Sequence, residues 1–353
     1  MEPREEELGA GEPAGGRAAR PLSAARPAAG PRVWHGAQQA SRGDWILELG
    51  ANERAELERA AGAAHVRGLT LENATRADFA LPTVGPRIAA LSRELGEGRG
   101  FVLIRGTPVA GRSVEEIALM YWAIGAQLGV AVSQSAAGDR LGHVVDRGTG
   151  DKERYYTRGG ALEFHIDPVD VVGLLCLRQA RSGGASRIVS ALAVHNAILA
   201  ERPDLLALLY RGFHNSRRAH GETTSPERVP VFAEGGHGLE CYLLPITIRQ
   251  AIEEGYSLTS AEQEALDYLA AVADRPELRL DMDFREGDVQ LLNNRTILHA
   301  RTDYVDDPDP ARKRHLLRLW LMMPDWPARA AAMNFHGRVD RTGGGVRPGS
   351  AAD

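Results

Sequence analysis

The residues best suited to chemistry in this 353-residue chain are His165 and Asp167, within Leu162-Glu163-Phe164-His165-Ile166-Asp167-Pro168. Side chains at positions i and i+2 of a β-strand lie on one face, so the imidazole and the carboxylate are expected to point together. Such a pair covers one edge of a divalent metal ion and needs a third ligand. Two histidines with one carboxylate form the facial triad of non-haem iron(II) sites. The alternative is a histidine at a strand end that pairs with a neighbouring aspartate.

The third ligand is expected at the end of another buried strand, and His299 has that setting. It follows the strand-like run 288–293 and a predicted turn at Asn293-Asn294, which would hold it rigidly. His143 and Tyr156, which both precede the metal pair in the sequence, could line a substrate pocket. Exposed loop positions or ordinary core packing would explain both residues equally well.

Arg314 and Arg318 lie in an otherwise apolar run, residues 312–323, that ends before Pro324. A spacing of four places both guanidinium groups on one face, and the short length with the terminal proline favours a strand. A buried strand accepts arginine only opposite anionic groups, and a guanidinium binds a carboxylate through two hydrogen bonds. The run therefore predicts a pocket for a metal-chelating acid, with ordinary ion pairs to Asp or Glu as the alternative.

Together these motifs resemble the TauD/TfdA family of Fe(II)/2-oxoglutarate-dependent dioxygenases. The resemblance rests on His165-x-Asp167, His299 and, fifteen residues later, Arg314, and on the phrases Gly183-Gly184-Ala185-Ser186 and Gly287-Asp288-Val289-Gln290-Leu291-Leu292-Asn293-Asn294. The chain is also similar to clavaminate-synthase-like and asparagine-oxygenase-like enzymes. The similarity extends over about residues 32–325.

The resemblance implies a role for each matched residue. His165, Asp167 and His299 would bind iron, and Arg314 would pair with the distal carboxylate of 2-oxoglutarate. Ser186 stands where the family usually has the threonine of Gly-Gly-Asp-Thr, so a hydroxyl for the co-substrate is retained. Arg318 matches an arginine that faces the acidic group of the primary substrate in several members.

The resemblance also implies the reaction. With Fe(II), 2-oxoglutarate and O2, the enzyme would oxidise an unactivated C–H bond of a small, anionic or amino-acid-like molecule and release succinate. Hydroxylation is the usual outcome, and desaturation or cyclisation is possible, whereas Asp167 argues against halogenation. The alternatives are a zinc-dependent hydrolase, which would not need the two arginines, and a non-catalytic small-molecule-binding β-barrel.

The expected fold is mainly β with flanking helices, and the resemblance implies a double-stranded β-helix (jelly roll) with helices against one sheet. Composition, 43% hydrophobic and 25% charged, suits one large domain, which we place at residues 32–330. Residues 1–31 are predicted to be a disordered tail and 331–353 a flexible tail. The polar, basic stretch 213–230 is long enough to suggest a lid over the active site.

Charge and cysteine usage narrow the possible partners and compartment. The net charge of −5 gives no reason to expect nucleic acid or an anionic membrane as a partner, and the apolar runs are too short to cross a bilayer. Cys176 and Cys241 are isolated in apolar surroundings, as expected for reduced thiols of a cytoplasmic protein. The sequence gives no prediction of the oligomeric state.

Overall fold

Two β-sheets face each other across an apolar interior, and helices cover their outer faces. The computed structural model describes residues 25–146, 160–218, 221–224, 226–236, 238–333, 345–346 and 348–349. The helices are α1 (Gly36–Ala40), α2 (Ala51–Val66), α3 (Val84–Gly96), α4 (Val114–Ala126), α5 (Ala191–Glu201), α6 (Pro203–Arg211), α7 (Pro245–Glu253) and α8 (Ser260–Ala273). The strands are β1 (Ile46–Glu48), β2 (Phe101–Arg105), β3 (Val130–Ala131), β4 (Leu141–Val144), β5 (Leu162–His165), β6 (Val171–Arg178), β7 (Ser182–Gly183), β8 (Ser186–Ser190), β9 (Phe232–Gly235), β10 (Gly238–Cys241), β11 (Arg279–Met282), β12 (Val289–Asn293), β13 (Ile297–Arg301), β14 (Tyr304–Val305) and β15 (His315–Met322).

Local sequence explains where several helices begin. The Ser113 hydroxyl accepts the backbone N–H of Glu116, whose carboxylate accepts the N–H of Ser113 in return, and this capping box starts α4. Thr259 and Glu262 form the same reciprocal cap at α8. Pro245 begins α7, where the N–H that proline lacks would have no partner within the helix.

The larger sheet has the strand order β1-β2-β12-β6-β15-β3, and β4 also pairs with β15. The smaller sheet has the order β11-β8-β13-β5. Pairing within these two sheets is antiparallel except between β1 and β2. The expectation of a mostly antiparallel core with flanking helices is therefore confirmed.

Alternation along β15 directs polar side chains toward the space between the sheets. Leu317, Leu319 and Leu321 pack in the cluster formed with the helices outside the larger sheet. The intervening side chains point the other way, and Trp320 lies in the apolar cluster between the sheets. Arg318 shares that inward face, so β15 presents a cation to the interior of the fold.

The helices occupy both outer faces, which corrects the expectation of helices against one sheet. The cluster outside the larger sheet contains residues of α2, α3 and α4, and the cluster outside the smaller sheet contains residues of α5, α6 and α8. Both faces of each sheet are thus buried, and apolar side chains lie on both faces. None of the helices in the described ranges has the length and apolar character needed to span a membrane.

Parts of both predicted tails lie against the folded region. The backbone N–H of Ala28 donates to Asn196 Oδ1 at 2.7 Å, and Asn196 Nδ2 donates to the Ala28 carbonyl at 2.9 Å. Met333 and Val346 are buried, and the Val346 N–H donates to the Ser133 carbonyl at 2.8 Å. The domain boundaries remain predictions, but these residues of the two predicted tails pack on the domain.

Candidate metal centre and active site

The three predicted metal ligands converge between β5 and β13. His165 ends β5, Asp167 follows two residues later, and His299 is the central residue of β13. The two strands pair with His165 opposite His299, and their ring centroids lie 4.2 Å apart. One potential ligand atom from each of the three side chains lies within 4.8 Å of the other two. The arrangement has the donors and the spacing of a metal site.

The electrostatic surroundings keep Asp167 and His299 in their ligating forms. Burial, together with the nearby His165, lowers the pKa of His299 to about 3. Burial raises the pKa of Asp167, but the positive charge of Arg318 and the two neighbouring histidines outweigh it, so that its pKa is lowered. A neutral imidazole and an ionised carboxylate are the forms that bind divalent metal ions.

Backbone and amide groups orient the same ligands. Nδ1 of His165 donates to the Glu163 carbonyl at 2.7 Å, which leaves the lone pair on Nε2. The Asp167 N–H donates to Asn294 Oδ1 at 3.1 Å, so the turn before β13 holds the residue that follows β5. Nδ1 of His299 is buried and has no hydrogen-bond partner among the described residues.

One cavity of about 60 Å³, here called the Arg314 cavity, extends from the three ligands into the space between the sheets. Its polar lining combines the triad with a hydroxyl and three guanidinium groups, from Ser186, Arg301, Arg314 and Arg318. The rest of the lining is mainly apolar and comes from Val144, Leu162, Val172, Leu174, Phe284, Ala300 and Leu316. The Arg314 cavity therefore places three guanidinium groups and mainly apolar walls next to the triad.

Arg314 is buried in this cavity with 5% of its surface exposed. Its guanidinium lies 5.3 Å from the centre of the Tyr304 ring, and Arg301 lies 4.8 Å from the same ring. Burial, together with the charge of Arg301, lowers the pKa of Arg314 to about 10. Among the described residues no carboxylate forms an ion pair with Arg314, so the cavity offers a buried cation to an anionic ligand.

A second cavity of about 120 Å³, here called the Arg249 cavity, lies on the other side of the triad. It shares Leu162, His165, Asp167 and Arg318 with the Arg314 cavity. Its remaining lining comes from β5 and from the beginning of α7, namely Glu163, Leu244, Pro245, Ile246 and Arg249. Arg249 Nη1 lies 2.8 Å from Glu163 Oε2, and both side chains are partly exposed, so opposite charges lie side by side on this wall.

Arg318 lies where the two cavities meet. Its Nε donates to Gln134 Oε1 at 2.8 Å, and its guanidinium lies 4.6 Å from the centre of the Trp320 ring. Nη1 of Arg318 is 3.9 Å from Asp167 Oδ1. This arginine is thus held by neighbours on two sides while it faces the metal carboxylate and both cavities.

The predicted substrate residues have different positions. The lining of the two cavities, as far as the described residues define it, does not include His143, whose Nδ1 forms a hydrogen bond with His315 Nε2 at 2.9 Å. Tyr156 lies outside the described residues. Glu163 and Arg249 line the second cavity and were missed by the sequence analysis. The sequence signal nearest to them is Pro245, because proline often occupies the first position of a helix and here begins α7, which carries Arg249.

The predicted lid is anchored away from the cavities. In the described part of 213–230, the Ser216 and Thr224 hydroxyls donate to Glu254, at the end of α7, and Arg228 pairs with Glu262 of α8. None of those described residues lines either cavity. In the structure these described residues lie outside the lining of both cavities, and a lid over the active site stays a prediction.

Comparison with known proteins identifies the family. Residues 63–320 match the model of the "Taurine catabolism dioxygenase TauD, TfdA family", which is most of the chain. The chain belongs to this family. The resemblance drawn from the sequence motifs is confirmed, and this TauD/TfdA protein is an Fe(II)/2-oxoglutarate-dependent dioxygenase that uses O2. A zinc hydrolase and a non-catalytic barrel do not fit this membership.

Relatives and solved structures agree with this assignment. "FR-33289 synthase" of Streptomyces rubellomurinus (strain ATCC 31215) is 31% identical over 333 residues, 88% of this chain and 98% of that protein. A structure of asparagine oxygenase in complex with Fe(II), 2S,3S-3-hydroxyasparagine and succinate has a TM-score of 0.62 at 18% identity, and the match covers 78% of this chain and 93% of that one. The non-heme iron oxygenase OrfP in complex with Fe and alpha-ketoglutaric acid has a TM-score of 0.56 at 14% identity, with the same coverage of both chains. The two structures share the fold of this protein.

Proposed function

We propose that this dioxygenase oxidises a C–H bond of a small, acid-bearing, amino-acid-like molecule, most often by hydroxylation, while 2-oxoglutarate is converted to succinate. The observation that carries the proposal is the convergence of two histidines and one carboxylate where two cavities meet, with a buried arginine in one cavity and charged groups of both signs on the wall of the other. The first cavity suits a dicarboxylate co-substrate, and the second suits the primary substrate.

His165, Asp167 and His299 would hold Fe(II) in this proposal. The donor set suits a non-haem iron centre, His165 Nε2 carries the lone pair, and the burial of His299 favours its neutral form. Bound there, Fe(II) with 2-oxoglutarate and O2 supplies the oxidising chemistry. The chain itself contributes three ligands, their orientation and a cavity lined largely by apolar side chains that keeps water away from the reacting groups.

Arg314 and Ser186 would bind 2-oxoglutarate. A buried guanidinium without an acidic partner is unfavourable, and the distal carboxylate of a bound dicarboxylate would relieve that cost. The Ser186 hydroxyl lies in the same cavity and forms a hydrogen bond with Gln290 at 3.1 Å, so it is held in place to donate to, or accept from, a ligand. Ser186 begins β8 and Arg314 immediately precedes β15 of the facing sheet, and the co-substrate would bridge them.

Arg318, Arg249 and Glu163 would bind the primary substrate. An acidic group can pair with either guanidinium and an ammonium group with Glu163, which is the charge pattern of an amino acid. The Arg249–Glu163 pair is partly exposed, so it contributes little to stability and can be exchanged for contacts with a ligand. The ligand of the asparagine oxygenase structure, 3-hydroxyasparagine, is of the same chemical class. His143 and Tyr156 remain predictions for substrate contacts.

The proposal also includes the topology of the core, the bounds of the catalytic domain and the location of the protein. The facing sheets β12-β6-β15 and β8-β13-β5 support a double-stranded β-helix core. The interlocked clusters on both sides of these sheets support one catalytic domain over residues 32–330. The free, buried thiols of Cys176 and Cys241 support a cytoplasmic, reducing location.

A screen of small acids would test the function. Purified protein with Fe(II), 2-oxoglutarate and O2 would be incubated with amino acids and other small acids, and succinate and oxidised products would be followed by mass spectrometry. We expect one class of acid to give a product with one added oxygen and stoichiometric succinate, and His165→Ala and Asp167→Ala to abolish both. A protein that forms no succinate with any acid, or one whose two variants bind Fe(II) as the wild type does, would contradict the proposal.

A further inference from the structure

Trp320 makes a direct hydrogen bond to the metal-site carboxylate. It lies on β15 with 5% of its surface exposed, and its Nε1 donates to Asp167 Oδ2 at 2.9 Å. A carboxylate turns easily about its last side-chain bond, because that torsion has broad minima. A donor fixed in a buried ring restricts this rotation, so Trp320 selects the plane in which Asp167 presents its oxygens.

The same indole ring supports Arg318. The guanidinium lies 4.6 Å from the ring centre, and its Nη1 is 3.9 Å from Asp167 Oδ1. Arg318 is therefore held between the Trp320 ring and the Gln134 side chain, which accepts its Nε–H. The ring, the arginine and the carboxylate form a closed set of contacts around the point where the two cavities meet.

We propose that Trp320 is a positioning residue that fixes the orientation of Asp167 through its N–H and that of Arg318 through its ring. The inference rests on the proposed function, because it takes Asp167 as a metal ligand. Partners of metal ligands in proteins tune affinity by orienting the donor, and their loss typically lowers metal affinity by about 10–100-fold. One side chain thereby aligns the metal carboxylate with the arginine assigned to the substrate.

Trp34 provides a matched control in the same apolar cluster. It is 3% exposed, and its Nε1 donates to the Arg99 carbonyl at 2.8 Å, a contact that does not involve a metal ligand. Trp34→Phe and Trp320→Phe delete the same N–H and the same ring volume from one cluster. A difference in metal binding between them reports the contact with Asp167 rather than the loss of a buried indole.

The experiment measures Co(II) binding to the full-length protein by calorimetry and by the visible absorption of Co(II). We expect Trp320→Phe to weaken Co(II) binding by about 10-fold or more, and Trp34→Phe to change it less than twofold. A second variant, with β-(3-benzothienyl)alanine at position 320, keeps the size of the indole and lacks only the N–H, and it should lose affinity as Trp320→Phe does. Circular dichroism and thermal unfolding of the metal-free proteins check that each variant is folded.

A further titration separates positioning from general loosening. No hydrogen bond or ring contact joins Arg314 to Trp320 in the part of the chain that the structure describes, so the Co(II)-saturated Trp320→Phe protein should bind 2-oxoglutarate within about threefold of the wild type. Wild-type Co(II) affinity in both position-320 variants would overturn the inference alone, and so would an equal loss in Trp34→Phe or a parallel loss of 2-oxoglutarate affinity. A wild-type protein that does not bind Co(II), or that binds it equally well after Asp167→Ala, would overturn the proposed metal site and this inference with it.

Discussion

The chemistry of single residues is clearest at Arg314. Its guanidinium is buried, its pKa is lowered to about 10 by burial and by Arg301, and it lies 5.3 Å from the centre of the Tyr304 ring. A charge in such surroundings is stabilised by a bound carboxylate more than an exposed charge would be, because little water competes for it. Arg314 is therefore expected to contribute much of the affinity for 2-oxoglutarate, whereas Arg318, which hydrogen-bonds with Gln134, should contribute less.

Arg314→Ala should raise the dissociation constant of 2-oxoglutarate by about 30-fold or more. Loss of a buried charged partner typically reduces binding by about 2–5 kcal/mol, and each 1.4 kcal/mol is tenfold. Calorimetric titration of the Co(II)-loaded protein measures this constant directly. Arg318→Ala is the matched comparison and should spare 2-oxoglutarate affinity while uncoupling succinate formation from substrate oxidation. A larger loss of 2-oxoglutarate affinity in Arg318→Ala would reverse the two assignments.

Residue types and their spacing predicted most residues of the candidate site, but not Glu163 and Arg249, which line the Arg249 cavity. His165 and Asp167 were predictable because a His-x-Asp motif places two donors at the end of a strand, and β15 alternation predicts that Arg318 faces inward. His299 was predicted at the end of a strand, whereas the structure places it in the centre of β13. Glu163 and Arg249 were not predictable, because their pairing depends on how α7 packs beside β5. That contact spans 86 residues of sequence, and no local pattern encodes it.

At the scale of elements, a buried ionic network joins the segments that carry the metal ligands. Arg295, in the turn before β13, donates to Asp170 through Nε and Nη2 at 2.9 and 2.7 Å, and its Nη1 lies 3.3 Å from Glu240 Oε1. Arg329 Nε approaches Asp170 at 3.5 Å. Asp170 follows Asp167 by three residues, so the network fixes the connection after β5 against the turn before β13.

Arg295→Met should lower the free energy of unfolding by about 3–5 kcal/mol, because two buried carboxylates lose their principal partner. Urea denaturation followed by circular dichroism gives this value. Arg42→Met provides the control, since Arg42 pairs with Asp44 at the surface with 57% of its side chain exposed, and its loss should change the free energy by less than about 1 kcal/mol. Equal effects of the two substitutions would show that the network does not stabilise the fold.

The beginning of α8 should make stability depend on pH. Burial raises the pKa of Glu262, but the Thr259 N–H, Arg228 and the Thr259 hydroxyl outweigh it and hold the pKa at about 2, below the ordinary 4.5. The unfolded chain therefore binds the proton first as the pH falls. The stabilisation is complete above about pH 4.5 and is lost between there and about pH 2.

Glu262→Gln should remove this contribution, about 3 kcal/mol at neutral pH, and reduce the slope of stability against pH in that range. Urea unfolding at a series of pH values between neutrality and the acid limit of the folded protein measures both effects. Glu97→Gln, in the exposed pair with Arg93, should leave the curve unchanged. A Glu262→Gln curve that runs parallel to that of the wild type would count against the stated cause.

At the scale of the whole molecule, the sequence predicted the architecture of the core better than it predicted the packing of the two tails. Strand runs without regular βαβ alternation predicted an antiparallel core, because parallel sheets need regular crossover connections. The coverage of both sheets by helices was not predicted, since several of the helices are apolar around most of their circumference and do not reveal which sheet they meet. Both tails were predicted to be unpacked from their composition. Composition cannot show that a single apolar residue such as Val346 packs in the core.

Val346→Asp should destabilise the protein although it lies only seven residues before the last residue of the chain. The side chain is 8% exposed and packs in the apolar cluster that contains Trp320 and Val132, and the backbone N–H of the preceding Gly345 donates to the carbonyl of Pro168, next to Asp167. A carboxylate buried there without a partner should lower the free energy of unfolding by more than the about 1–3 kcal/mol that an uncharged polar group costs, or expel the segment from the core. The metal-free proteins would be compared by thermal unfolding, with Val66→Asp, at a position that is 86% exposed, as the control. If the two substitutions shift the unfolding temperature equally, the end of the chain does not pack on the domain in solution.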